Sequence, residues 1–115
     1  MTTAYPDGSG ARRGIARHQA PVIDEAALVA ARAADRALAV ARERGATRWA
    51  TYLEPLPDRL RDDDIADLRR TALRIRAAYG PKDSLRDVLP ESATEPLLDA
   101  VDRLLKALAK RETGG

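Results

Sequence analysis

An all-α fold, built as a small bundle of three long amphipathic helices with one or two short connecting helices, is what this sequence predicts. Three observations carry that expectation. The apolar 44% is drawn mainly from Ala and Leu, with no Phe and rings only at Trp49, Tyr5, Tyr52 and Tyr79. Ala and Leu lose little conformational freedom in a helix, whereas β-branched and aromatic residues favour strands. Apolar positions also recur at three- and four-residue intervals, and no run alternates with period two. Finally, capping residues, prolines and glycines bracket these periodic stretches where helices ought to start and stop.

Residues 1–20 carry Pro6, Gly8, Gly10 and Gly14 among Arg12, Arg13 and Arg17, without periodicity, and read as a flexible basic arm. A single helical-bundle domain is expected over residues 21–111, with a frayed C-terminus over 112–115. The first long helix is expected from about Asp24 to Arg44, with Asp24 as cap, Ile23 and Leu28 as a hydrophobic staple, and Gly45 as the left-handed stop. More than half of its circumference is apolar and small, including Ala27, Ala30, Ala34, Ala37, Leu38 and Ala41. Such a helix has to run through the centre of the bundle or along a dimer seam.

Between Ala46 and Arg61, Pro55 and Pro57 forbid one long helix, so a short helical turn is expected on each side of Glu54 and Pro55. Trp49 and Tyr52 are expected to close one end of the core. Asp62, Asp63 and Asp64 start a second long helix that ends at Tyr79 before Gly80 and Pro81, with Ile65, Leu68, Ala72 and Ile75 on its inner stripe. Asp83 or Ser84 can cap a short turn through Leu85, Val88 and Leu89. The third long helix starts at Ser92 or Thr94 and buries Leu97, Leu98, Val101, Leu104, Leu105 and Leu108. Asp99 with Arg103, and Asp102 with Lys106, are acid-before-base pairs on its wet face.

Composition narrows the function classes. With no cysteine, disulfides, thiolate metal sites and thiol catalysis are all excluded. The N-terminus lacks the apolar run of a secretory signal, and no segment reaches the ~20 apolar residues of a membrane span, so a cytoplasmic protein off the membrane is expected. The 20 basic and 18 acidic residues leave a net charge of +2, too little for a nucleic-acid-scale bias over the whole chain. The excess of Arg over Lys, with so much Ala, is what a GC-rich genome produces and is not chemistry.

Catalysis needs a positioned nucleophile, base, metal cluster or phosphate loop, and none is evident, so no enzyme activity, cofactor or metal is expected. The lone His18 lies in the arm. Asp58, Asp62, Asp63, Asp64 and Asp67 lack calcium-loop spacing, and consecutive helical residues diverge by about 100°, so they serve a helix start rather than one ion. Gly8-Ser9-Gly10 has neither a preceding strand nor a following Lys-Ser/Thr pair.

The leading expectation is a non-enzymatic interaction or regulatory module that binds a protein partner or itself. Its candidate surface is on the second long helix, where Arg69 and Arg76 edge the apolar face and Leu73 and Ala66 are exposed anchors. The bland alternative lays both arginine stems along the core with their heads in water. The second functional expectation is a nucleic-acid-associated protein using Arg12, Arg13 and Arg17 of the arm together with Arg70 and Arg74. An acidic leading turn on the third helix, at Glu95, argues against a helix-turn-helix.

Overall fold

The computed structural model of the chain describes residues 17 and 19–114. Arg12, Arg13, His18 and the glycines of the arm lie outside the described residues. Among the described residues the secondary structure is entirely helical. The elements are α1 (Pro21–Glu43), α2 (Thr47–Leu53), α3 (Leu56–Asp62), α4 (Ile65–Ala77), α5 (Leu85–Val88) and α6 (Glu91–Gly114).

The three long helices and the bent α2–α3 pair make a bundle with four corners. α1 packs on α6 along one side and on α2 and α3 along the other, while α4 packs on α6 and α3 across the diagonal from α1. Side-chain pairs fix the directions. Asp35 with Arg61 and Arg42 with Glu54 run α1 against the α2–α3 corner, Tyr52 with Arg74 and Asp63 with Thr71 run that corner against α4, and Arg76 with Asp102 and Tyr79 with Thr94 run α4 against α6. Every adjacent pair is antiparallel. The result is an up-down-up-down bundle whose second corner is a bent pair of short helices.

The bend has a simple cause. Glu54 and Pro55 both keep right-handed helical angles, but Pro55 and Pro57 have no N–H to give to the preceding turn. The hydrogen-bond ladder fails there while the chain keeps its general course, so Leu53, Leu56 and Leu60 still point into one core, each fully buried.

α1 is the central wall of the bundle. Ala27, Ala30, Ala31, Ala34, Ala37 and Ala41 are completely buried. Methyl groups on this face let α6 and α3 come close on both sides, toward the short end of the ~8–10 Å interaxial range. The fully buried alanines are therefore core.

Three helix starts differ from the sequence expectation. α1 begins at Pro21, with Ala20 in the capping place and no side-chain cap; proline suits the first turn because its missing N–H has no intrahelical role there. Asp24 is not the cap and instead receives Arg17. α4 begins only at Ile65, with the Asp64 carboxylate accepting from the Asp67 N–H at 2.9 Å, and ends at Ala77 instead of Tyr79. α6 starts at Glu91, its first turn held on the Pro90 carbonyl by the N–H groups of Ala93 and Thr94. α5 is capped by Ser84 in a reciprocal box with Asp87.

Candidate interaction surface

Residues expected to carry an interaction sit on the outer side of α4. That helix buries Leu68, Thr71, Ala72 and Ile75, an arc of about 100°, so Leu73 falls near the middle of the opposite face. Leu73 is 50% exposed. Ala66 and Ala77, also exposed, lie on the same line, and Arg69 and Arg70 stand on either side. This is a convex apolar ridge with an arginine rim.

Arg76 leaves the ridge. Its Nε meets Asp102 Oδ1 of α6 at 3.1 Å, which ties the two helices together across the edge of the core. Asp102 is therefore taken by α4 and not by Lys106. Arg70 reaches back to Asp67 Oδ1 at 3.4 Å, an exposed pair that holds little energy. Arg74 lies over the Tyr52 ring at 5.4 Å, and its carbonyl accepts from the Tyr52 hydroxyl at 2.5 Å.

Arg17, expected in a phosphate-binding arm, occupies quite another place. It is 6% exposed, with Nη1 donating to the carbonyls of Leu60 at 3.0 Å, Arg61 at 2.7 Å and Asp63 at 2.9 Å, and Nε donating to Asp24 Oδ1 at 2.8 Å. A cation set on the last carbonyls of α3 satisfies acceptors that the helix cannot, and meets the negative end of its dipole. Arg17 and Ala20 are both buried against the folded body. The guanidinium is not presented to a phosphate.

The aromatic residues close one end of the bundle. Trp49 and Tyr52 meet edge to face with ring centroids 5.4 Å apart, and Arg48 lies over Trp49 at 5.5 Å. Between them and Ala77, Ala78, Lys82 and Asp83 opens a cleft of about 550 Å³. Nearby, the Tyr79 hydroxyl donates to the buried Thr94 carbonyl at 2.6 Å. Burial pushes that phenol well above its ordinary range. Arg86 grips Glu95 through Nε and Nη2, both at 2.8 Å, and these hydrogen bonds hold the Glu95 carboxyl below its usual value.

Val22 and Val29 are also exposed, at 70% and 39%. Their seven-residue spacing was the available signal, but periodicity alone does not say where a neighbouring helix stops covering the face.

Among the described residues no group of three potential metal ligands converges, and no helix is long and apolar enough to cross a membrane. Comparison of the chain with known protein families, with curated proteins and with solved structures finds no match.

Proposed function

We propose that this protein is a non-enzymatic interaction module that receives a protein partner on the outer ridge of α4. The observation that carries this reading is Leu73, a half-exposed leucine on the solvent face of a helix whose other long apolar side chains are covered or partly covered. Ala66 and Ala77 extend the apolar line, and the arginine rim fits a partner surface with an apolar socket bordered by carboxylates. The arginines supply orientation and rate of encounter, and the leucine supplies the desolvated anchor.

The test is Leu73→Glu. Because the side chain is half in water, far-UV circular dichroism should be unchanged, while affinity for a captured protein partner should fall about 30-fold or more, as for an interface anchor of about 2 kcal/mol. Unchanged binding by L73E removes the ridge from the interface. The nucleic-acid alternative predicts a different signature, a steep loss of DNA or RNA affinity between low and physiological salt that Arg70→Glu and Arg74→Glu reduce. An interface centred on Leu73 responds weakly to salt.

A further inference from the structure

Along the edge of its buried face, α1 carries a second apolar strip made of Val22, Ala26, Val29, Ala33 and Val40. Val22 and Val29 are exposed, and the other three are half-buried. Steps of four, three, four and seven residues keep all five within about 60° of arc. Beside the strip, on the side away from α6, stand Glu25, Arg32, Arg36 and Glu43, all exposed. None of these four is in an ion pair among the described residues.

We propose that this strip is a self-complementary seam on which α1 of a second copy docks antiparallel, about a two-fold axis level with Ala31. The apolar residues set the register. With the axis there, Val22 meets Val40 of the second copy and Val29 meets Ala33, so every valine of the strip finds an apolar counterpart. The charges lead independently to the same place. Of the two ways of pairing helices about a two-fold, only the antiparallel one brings both charged flanks to a common edge, and this axis sets Glu25 beside Arg36 of the second copy and Arg36 beside its Glu25. Neither residue is in an ion pair among the described residues, and the dimer supplies each with an opposite charge.

On the other flank, α6 forms a shoulder. Ala107 stands next to Val22 across an open recess of about 370 Å³ that Pro21, Ile23 and Lys110 also line. In the antiparallel arrangement the recess faces the Val40 end of the second copy. The seam is about 27 Å long and one helix wide, less than the ~800 Å² per partner of a standard complex, so the dimer is a weak one.

The seam lies on a different helix from the α4 ridge, and one set of measurements tests each apart from the other. Sedimentation equilibrium on the full chain, carried up to about 500 µM to suit a small interface, should show a monomer–dimer equilibrium. Val29→Glu should leave a monomer with unchanged far-UV circular dichroism. Glu25→Arg and Arg36→Glu should each weaken the dimer about fivefold, since each replaces two exposed attractions by repulsions, and the double variant E25R/R36E should restore it to within about twofold. L73E should not change the mass. A wild-type chain that stays monomeric throughout overturns the proposal, as does a dimer that survives V29E. A dimer lost in L73E but kept in V29E assigns self-association to α4 and overturns it equally, and a double variant that stays weak overturns the antiparallel register.

Discussion

At the scale of single residues, Arg17 and Tyr79 do most to join parts of the chain that are distant in sequence. Arg17 serves three carbonyls at the end of α3 and the Asp24 carboxylate at once. One of its amino nitrogens, Nη2, is buried without a partner among the described residues, which lowers the net gain. Arg17→Ala should destabilise the fold by about 2–4 kcal/mol in urea denaturation, because buried acceptors and a carboxylate lose a charged donor together. Arg17→Lys should recover little of it, since an ammonium cannot span the same forked geometry. A change within about 0.5 kcal/mol in R17A, the scale of a neutral surface substitution, would mean that the α3 carbonyls do not need this cation.

Tyr79 predicts a pH response. Burial is the main cause of its raised pKa, Glu95 adds to it, and Arg86 and Arg76 oppose it. The folded state thus holds the phenolic proton more tightly than the unfolded chain. Its contribution is full below the ordinary tyrosine value of about 10 and is lost as pH rises above that value toward the folded one. Melting curves between about pH 8 and pH 11 should show an alkaline fall in stability that Tyr79→Phe reduces. Glu95 works in the opposite sense. Its lowered pKa, caused first by the Arg86 hydrogen bonds, contributes stability above the usual carboxylate range that disappears as pH falls through the lowered value.

At the scale of elements, α1 and the α2–α3 corner show two uses of the same backbone. α1 is uninterrupted because alanine keeps the helix favourable and lets neighbours in on both sides. Enlarging a wall side chain should be costly for that reason. Ala34→Leu, at a fully buried position, should destabilise by about 1–3 kcal/mol through overpacking, whereas Ala39→Leu on the exposed side of the same helix should be nearly neutral. Equal effects at the two positions in a denaturation experiment would show that α1 is not tightly enclosed. In the second corner the two prolines break the ladder but leave the leucines aligned, so a bent element fills a place that a straight helix would otherwise take.

On the scale of the whole molecule, four corners around a leucine and alanine core leave apolar side chains of α4 and α1 exposed among the described residues. The α4 ridge is convex and rimmed by one sign of charge, which suits a partner of different composition. The α1 strip is flanked by both signs, and the proposed two-fold sets Glu25 beside Arg36 of the second copy. V29E and L73E should therefore separate cleanly, the first changing mass in solution and the second changing capture of another protein.

The sequence by itself determined the class of fold, the approximate extent of each long helix and the break at Pro55. Those follow from local physics, namely propensity, period and the ability of a residue to donate a backbone hydrogen bond. Only the tertiary structure decided the rest. A periodic pattern states which way a side chain points from its own axis, not which neighbour meets it, so the fourth corner, the enclosure of α1 and the exposed edge at Val22 and Val29 depended on how the helices came together. Arg17 shows the limit most clearly. Its main acceptors lie more than forty residues along the chain, and nothing local distinguishes it from Arg12 and Arg13 until the end of α3 is folded against it.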